Sequence, residues 1–449
     1  MSTSTRSPKP VSGSILAPQG FLASGVFCDI KRLGTGKGSN KGRKRDLALI
    51  VSTLPATVAG LFTTNQVCAA PVKVCAERVR DGLAQAIVVN SGNANACTGR
   101  QGMADALAMA RTTARLLHMP ERHVLVASTG RIGVNLPMAN VRAGIEAAVP
   151  LLDPDPAHAS HAVEAIMTSD TRPKEIAVEF RLGGRRVRLG GICKGAGMIQ
   201  PGMSPTGARP ASVPAGLHAT MLCFLTTDAA IPAGPLQAAL TEAVAQSFNR
   251  ITVDGDMSTN DTVLILANGM AGNRPAALRS RSSADARAFQ RALNHVCLEL
   301  AKKIVRDGEG VHRVVTVRVA GARNHAEADA AARAVANSAL VKTSWHGGDP
   351  NWGRIIDALG YSPARVVEDR VDIGYSTPGS AKILWSLRRG QPTRATFAAL
   401  CRAAAPAEFD LHIRLNLGRG QAVIYAADLT EAYVDFNKGD VGDPSSLGG

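Results

Sequence analysis

The stretch IAVEFRLGGRRVRL, residues 176–189, indicates more about the fold than any other part of the chain. Every second residue from 176 to 182 is apolar, and after Gly183-Gly184 the alternation resumes at Val187 and Leu189. This pattern predicts two antiparallel strands joined by a tight glycine turn. A second hairpin is predicted over residues 411–425, with its turn at the GRG of residues 418–420.

Helical and strand patterns alternate on both sides of this hairpin. Short buried strands are predicted at residues 86–90, 123–127 and 314–319. Apolar residues at three-and-four spacing predict helices over residues 102–119, 236–248, 289–304 and 326–336. Hairpins with segregated helices favour a mixed α/β (α+β) chain that has antiparallel sheets and helical layers.

Length and composition predict a large folded core. The chain has 449 residues, of which 45% are hydrophobic but only 4% aromatic, so aliphatic and small side chains must fill that core. This length suggests two or three lobes. No apolar run approaches the roughly 18 residues that span a bilayer, so we expect no membrane partner.

Charge and cysteine usage argue against several functions. The net charge of +15 comes mostly from dispersed arginines, and the dense cluster at residues 37–45 lacks interleaved aromatics, which favours a solvated basic loop over a nucleic-acid site. Neither a CxxC pair nor histidines at ligand spacing occur, so we expect no metal site. The cysteines fit free thiols of a reducing cytoplasm; they are Cys28, Cys68, Cys75, Cys97, Cys193, Cys223, Cys297 and Cys401.

Several segments combine glycine, asparagine and small polar residues more densely than core packing requires. Such density predicts strained turns and close backbone approach. The segments are NSGNANACTG (90–99), ASTGRIG (127–133), KGAGMIQPGM (194–203), ATMLCFLTTDA (219–229), FNRITVDGDMSTNDT (248–262), RDGEG (306–310) and DPNWGRI (349–355). The sequence has no strand-linked GxGxxG, P-loop or HExxH motif, so nucleotide or metal chemistry has no support here.

In this order, the segments resemble the ornithine acetyltransferases, also called bifunctional glutamate N-acetyltransferases, of arginine biosynthesis. The resemblance runs from about Gly20 to Asn437, and LFTTNQVCAAPV (61–72), VVNSGNANACTG, VDGDMSTNDTV, IVRDGEG and DPNWGRI carry it. It implies a layered α/β/β/α fold similar to that of the N-terminal-nucleophile-like aminopeptidases. It also implies that the precursor cuts its own chain between Ala219 and Thr220, giving an α chain (1–219) and a β chain (220–449).

A threonine after the scissile bond has a chemical reason. Its hydroxyl is a poor nucleophile until a base removes the proton. Cleavage frees an α-amine on Thr220, and the reference pKa of such an amine, roughly 7.7 to 8.0, suits it to act as that base near neutral pH. Without the family resemblance, Thr220 would be read as an ordinary strand residue.

The resemblance assigns roles to further positions. Thr129 and Gly130 match an oxyanion hole, which would stabilise the tetrahedral oxygen. Lys194 suits the carboxylate of an acylated amino acid, and Glu309 suits the ammonium of ornithine or orients a polar head group. The full set of matching substrate-binding positions is Thr168, Lys194, Thr220, Glu309 and Asn437.

Two departures from the family pattern bear on this reading. Residues 204–218 (SPTGARPASVPAGLH) form an insertion just before the scissile bond, and we expect an exposed loop there. The tail 438–449 is atypical, since Gly442 stands where the family has a hydroxyl that contacts substrate. Residues 1–19 are expected to be flexible.

The resemblance implies a ping-pong transfer of acetyl from N2-acetyl-L-ornithine through Thr220 to L-glutamate. No cofactor is expected, although some family members also use acetyl-CoA as a donor. The α and β chains would stay together, as an α2β2 assembly, in the cytoplasm; a Ser/Arg-rich N-terminus leaves organelle import open. Two alternatives remain at this point: a threonine-nucleophile amidohydrolase or aminopeptidase, and a non-catalytic basic binding protein.

Overall fold

The structure is a computed structural model that describes residues 8–33, 44–208 and 221–438. These residues form two compact units. The first unit contains the described residues up to Asn249 together with Met257–Ile304, and the second contains Arg250–Asp256 and Val305–Lys438. No helix in the described ranges is long and apolar enough to cross a membrane.

The strands, in chain order, are β1 (Lys9–Pro10), β2 (Phe21–Val26), β3 (Leu47–Phe62), β4 (Leu83–Asn93), β5 (Val124–Arg131), β6 (Lys174–Leu182), β7 (Arg185–Lys194), β8 (Leu222–Thr227), β9 (Ile251–Thr252), β10 (Thr262–Ala267), β11 (Val314–Ala322), β12 (Asp372–Ser376), β13 (Leu384–Arg388), β14 (Gln391–Pro392), β15 (Glu408–Arg414) and β16 (Gly420–Ala427). The helices are α1 (Ile30–Leu33), α2 (Ala70–Arg78), α3 (Gly99–Leu116), α4 (Met138–Ala148), α5 (Pro156–Ile166), α6 (Ala233–Ala245), α7 (Ala284–Arg306), α8 (His325–Asn337), α9 (Ala339–Gly347), α10 (Trp352–Gly360), α11 (Phe397–Ala404) and α12 (Glu431–Asn437).

A nine-stranded sheet forms the centre of the first unit, in the order β1-β6-β7-β8-β10-β3-β4-β5, with β2 also paired to β3. Most neighbours are antiparallel, while β8–β10 and β4–β5 are parallel. The first half of β3 pairs with β2 and the second half with β10, and the β3–β4 register shifts between Val51 and Ala56. The hairpin of residues 176–189 is confirmed as β6 and β7, with positive φ angles at both turn glycines.

A seven-stranded sheet forms the centre of the second unit, in the order β14-β13-β12-β15-β11-β16-β9. The hairpin predicted over residues 411–425 is therefore wrong. Its strands, β15 and β16, both occur but pair with opposite edges of β11, in parallel and antiparallel fashion respectively. The apolar side chains of β11 are buried, and an interior strand of this kind needs a hydrogen-bonded neighbour on each side.

Each unit has its own aliphatic core, as the composition predicts. In the first unit, β4 and β5 are buried almost throughout, and α3 covers them with Ala106, Met109 and Ala110 at helical spacing. In the second unit, the alanine-rich α8 packs on β11 and β16. The prediction of a mixed α/β fold with helices on sheets is confirmed.

The expectation of a flexible N-terminus is not met by residues 8–19. Lys9 and Pro10 pair with β6, and Ile15 is completely buried. Gly190 on β7 makes room for this segment, since a Cβ atom there would lie 1.9 Å from the carbonyl oxygen of Ser14. The apolar Ile15 and Leu16 explain the docking, because burial of such side chains stabilises an otherwise loose terminus.

Candidate active site

The start of β8 lies directly after the predicted nucleophile in the sequence. Ala219 and Thr220 themselves, like residues 209–218 of the insertion, are outside the described residues. Both backbone polar groups of Met221 are hydrogen-bonded. Its N–H donates to Oδ1 of Asp261 at 2.6 Å, and its carbonyl accepts the N–H of Thr262 at 3.1 Å. The chain position next to residue 220 is therefore fixed by the residues that open β10.

Asp261 is a fully buried carboxyl group. Its Oδ2 has no hydrogen-bond partner within the described residues. Burial raises the pKa of Asp261 well above its usual range, against the opposing effects of the Met221 N–H and the positive charge of Lys194. A carboxyl group has two oxygens, so Asp261 can accept the hydrogen bond of the Met221 N–H through Oδ1 and keep Oδ2 available for a second hydrogen bond.

Asn260 connects this carboxyl to the predicted oxyanion hole. Its side-chain amide donates to the carbonyl of Ser128 at 2.8 Å and to that of Ala94 at 2.7 Å. Ser128 directly precedes Thr129, so two consecutive residues, Asn260 and Asp261, link the Thr129 segment to Met221. Sequence reasoning missed both, although they lie in the STND of a segment already singled out.

Thr129 is buried, and its hydroxyl has no hydrogen-bond partner among the described residues. Buried polar groups without partners are uncommon in folded proteins, and catalytic groups are one recurring exception. Gly130 follows with φ +130°, and a Cβ atom there would lie 2.4 Å from the carbonyl carbon of Gly92. Only glycine fits this close approach of β5 to β4, which explains why a glycine follows Thr129 near the end of β5.

A second carboxylate, Asp170, brings Thr168 and Lys194 together. The N–H of Thr168 donates to Oδ2 of Asp170 at 2.9 Å, and Nζ of Lys194 lies 3.9 Å from the same oxygen. Oδ1 accepts from Nζ of Lys174 at 2.6 Å and from the N–H of Gly195 at 2.7 Å. Burial opposes the charge of Asp170, but the two lysines overcome it and hold the pKa below its usual range.

Lys194 ends β7 directly opposite Leu222 of β8. Its side chain is only 3% exposed, which rules out the solvated role that is commonest for a lone lysine. The strand register therefore places Lys194 beside the start of β8. The predicted residues Thr129, Gly130, Thr168 and Lys194 all belong to the first unit.

The other two predicted residues, Glu309 and Asn437, meet in the second unit. The side-chain amide of Asn437 donates to Oε2 of Glu309 and to the carbonyl of Tyr433, each at 3.0 Å. Gly310 allows the contact: it has φ +67°, and a Cβ atom there would lie 2.4 Å from the backbone nitrogen of Tyr433. Thr430 caps α12 and also donates to the carbonyl of Gly310 at 2.7 Å, which fixes the helix against the DGEG loop.

The insertion begins as a buried residue, contrary to the exposed loop predicted for all of residues 204–218. Ser204 is 9% exposed and forms a β-bridge with Phe62, with hydrogen bonds in both directions. Pro205, Thr206 and Ala208 are exposed as expected. The core of the first unit therefore includes Ser204, the first residue of the insertion. Gly442 lies outside the described residues.

The cysteines are free, as predicted. Burial raises the pKa of Cys75 and of Cys193 to about 12, so these thiols are unreactive near neutral pH.

The chain is similar to proteins of arginine biosynthesis over nearly its whole length. A sequence model of the ArgJ family matches residues 27–439. The arginine biosynthesis bifunctional protein ArgJ of Symbiobacterium thermophilum is 46% identical over 427 residues, covering 95% of this chain and 98% of that protein. The protein of the same name from Geobacter sulfurreducens is 44% identical over 419 residues, with coverages of 93% and 98%. A crystal structure of ornithine acetyltransferase complexed with ornithine from Mycobacterium tuberculosis is 36% identical and covers 44% of this chain and 100% of that chain, with a TM-score of 0.40.

Proposed function

Because this chain belongs to the ArgJ family, we propose that it transfers the acetyl group of N2-acetyl-L-ornithine to L-glutamate in arginine biosynthesis. The products are ornithine and N-acetylglutamate. The observation that best supports the site is the link through Asn260 and Asp261, which joins the Thr129-Gly130 segment to the residue after Thr220.

Thr220 is the proposed nucleophile, made by self-cleavage of the Ala219–Thr220 bond. Its Oγ1 attacks the carbonyl carbon of Ala219, the C–N bond breaks, and an ester with a free α-amine results. Water then hydrolyses the ester to the carboxylate of Ala219 and a Thr220 that has both hydroxyl and amine. The hydrogen bond from Met221 to Asp261 supports this proposal, since it holds the neighbouring peptide in place.

The α and β chains would remain associated after the cut. β8 lies between β7 and β10, so strands from both sides of residue 220 share one sheet. Their separation would expose the buried residues of β8 and break the hydrogen bonds that join β8 to β7 and β10 to β3. An α2β2 assembly in the cytoplasm is the state we propose, and the free thiols are consistent with a reducing compartment.

In the transfer itself, the α-amine of Thr220 takes the hydroxyl proton as Oγ1 attacks the acetyl carbonyl. Donors at Thr129 and Gly130 would stabilise the oxyanion, and each such donor is worth about 3 kcal/mol. The C–N bond of acetylornithine breaks, and the ammonium of Thr220 returns the proton to the leaving amine. The amine of glutamate then attacks the acetyl ester and releases N-acetylglutamate and a regenerated Thr220.

Two charged groups are proposed to orient the substrates. The buried ammonium of Lys194 suits a substrate carboxylate, because a desolvated charge pairs strongly with its opposite. Thr168 would assist through the same Asp170-centred network. Glu309, oriented by Asn437, suits the side-chain ammonium of ornithine.

The acetyl group stays on Thr220 between half-reactions, so no cofactor is proposed. Acetyl-CoA is proposed only as a second acetyl donor, in keeping with the bifunctional naming of the relatives.

The experiment that tests this function traps the acetyl group. Purified protein is incubated with N2-acetyl-L-ornithine without glutamate, quenched in acid and digested, and the peptide that begins at Thr220 is expected to gain one acetyl group. Glutamate added before the quench should discharge it as N-acetylglutamate. Discharge at the same rate without glutamate would instead identify the amidohydrolase alternative, and the absence of any acetylated peptide in an active preparation would contradict the proposal.

A further inference from the structure

A cluster of metal-ligating side chains lies in the second unit, apart from the residues assigned above. It contains His312, which precedes β11, His346 in the last turn of α9, and Asp428, which directly follows β16. One ring nitrogen of each histidine and one oxygen of Asp428 all lie within 4.8 Å of one another. The three residues are far apart in the sequence, which is why ligand spacing gave no sign of them.

His346 has a different contact at each ring nitrogen. Nε2 lies 2.9 Å from Oε2 of Glu431, within hydrogen-bond range, whereas Nδ1 lies 3.4 Å from Oδ2 of Asp428. A carboxylate can only accept, so Nε2 carries the proton that it donates to Glu431. In the neutral ring Nδ1 then presents a lone pair to Oδ2, which is an unfavourable contact that a cation bound by both atoms would relieve.

Asp428 directs one carboxylate oxygen toward His346. Its Oδ1 accepts the N–H groups of His312 and Arg313, each at 3.0 Å. Its Oδ2 is buried and has no hydrogen-bond partner within the part of the chain that the structure describes, and Nδ1 of His346 is equally without one. A buried carboxylate oxygen without a donor is costly. A proton on Nδ1 would give a charge-assisted hydrogen bond of roughly 2.7–2.9 Å, which is shorter than the separation observed.

The spacing fits a metal ion better than a proton. Zinc binds nitrogen and carboxylate oxygen at about 2.0–2.2 Å in tetrahedral geometry, which separates two ligand atoms by roughly 3.3–3.5 Å. The distance of 3.4 Å between Nδ1 of His346 and Oδ2 of Asp428 falls in this range. Glu431 completes the arrangement, because metal-bound histidines commonly donate their second ring N–H to a carboxylate.

We propose that His312, His346 and Asp428 bind one divalent ion of the zinc type, with a water in the fourth position. His312 is exposed, its ring lies 5.1 Å from that of His346, and one of its ring nitrogens lies within 4.8 Å of both other ligand atoms. The ion would join the loop that carries Glu309 to the start of α12, which ends at Asn437. Its binding should therefore stabilise the second unit.

Cobalt(II) titration of the whole, chelator-treated protein tests the site. We expect one equivalent to bind with the strong visible absorption of tetrahedral cobalt and without a thiolate charge-transfer band, which separates this site from cysteine binding. Zinc should displace the cobalt and raise the melting temperature, with a stabilisation that grows with the logarithm of the ratio of free zinc to Kd. Loss of a ligand in His346→Ala should weaken binding at least about 100-fold, and Glu431→Gln should weaken it about tenfold.

The matched control is His158→Ala, which alters another histidine pair whose ring centroids are 5.2 Å apart. This variant should bind cobalt like the wild type. His312→Ala guards against misfolding of the His346 variant, because its exposed ring can be removed without opening the core. Absence of binding at millimolar cobalt, a thiolate band, or unchanged affinity in both His312→Ala and His346→Ala would overturn the proposal.

Discussion

Asp170 of the first unit and Glu309 of the second are both carboxylates beside predicted substrate-binding residues, but their surroundings differ. The side chains of Asp170, Lys174 and Lys194 are at most 3% exposed, and Asp170 receives hydrogen bonds from three directions. Glu309 is half-buried and accepts one amide from the exposed Asn437. The first group is buried within the fold, whereas the second joins a loop residue, Glu309, to the exposed end of the short helix α12.

The difference in burial between Asp170 and Glu309 suggests a different contribution from each of the two groups. A buried charge network resists displacement, and its loss costs stability as well as activity. An exposed pair contributes little to stability and can change with the substrate. The chemistry of acyl transfer is therefore expected to depend on the first unit, and the selection of the amino-acid head group on the second.

The largest expected effect follows from Asp170→Asn. This change removes the charge that faces two buried ammonium groups, and we expect the free energy of unfolding to fall by about 3 kcal/mol. The matched control is Asp329→Asn, which alters the more exposed i,i+4 pair with Arg333 and should cost about 0.5 kcal/mol. Urea denaturation measures both, and equal losses would remove the contrast between buried and exposed charges.

Thr129→Val tests whether a buried group of the first unit serves catalysis without serving stability. Loss of an oxyanion donor should lower kcat about 10²- to 10³-fold. Stability should stay constant or rise, because valine replaces a hydroxyl that has no partner among the described residues. The control, Thr226→Val, removes a hydroxyl that donates to the carbonyl of Ile15 at 2.6 Å, and it should lower stability by about 1 kcal/mol at unchanged kcat. The opposite pattern in the two variants would refute the assignment of Thr129.

Asp261 and Asp170 should respond to pH with opposite sign. The pKa of Asp261 is raised in the folded protein, so its contribution to stability is greatest below the ordinary aspartate pKa of about 3.9 and is lost as pH rises. The pKa of Asp170 is lowered, so its contribution is present above that value and is lost on acidification. The stability advantage of wild type over Asp261→Asn should therefore shrink as the pH rises above about 4, by at most about 1.4 kcal/mol per pH unit, until the raised pKa is passed. The stability advantage of wild type over Asp170→Asn should shrink only below pH 4. Parallel pH profiles of the free energy of unfolding for the two variants would contradict both assignments.

The smallest effect is expected at Glu309→Gln. We expect KM for acetylornithine to rise about tenfold, as one charge-assisted hydrogen bond is lost, with little change in stability. Asp435→Asn is the control on the same surface, since it alters an exposed ion pair with Lys438 on α12. Steady-state kinetics distinguish the variants, and a large fall in kcat with an unchanged KM would assign Glu309 to the chemistry instead.

Local patterns were sufficient for much of the fold. The hairpin of β6 and β7 follows from alternation and two glycines, and α3 and α7 follow from their helical spacing. The pairing of β15 and β16 failed because β11, from far earlier in the sequence, lies between them. Alternation predicts that a strand has a buried face, but it contains no information on which neighbour the strand chooses.

The same division applies to the site. The family resemblance pointed to Thr129, Lys194 and Glu309, because each of them lies within a motif of that family. Asp170 and Asp261 were not singled out, because a carboxylate in a polar segment is usually solvated, and only the structure shows that these two are buried. Burial of a polar residue depends on tertiary packing, which the sequence around it does not encode.

The most direct test of the central claim is intact mass spectrometry of the active, purified protein. We predict two polypeptides whose masses match residues up to Ala219 and from Thr220 onward, and a single uncleaved, inactive chain for Thr220→Ala. An active preparation that contains only the full-length chain would contradict the account, because Thr220 would then have no free amine to activate its hydroxyl.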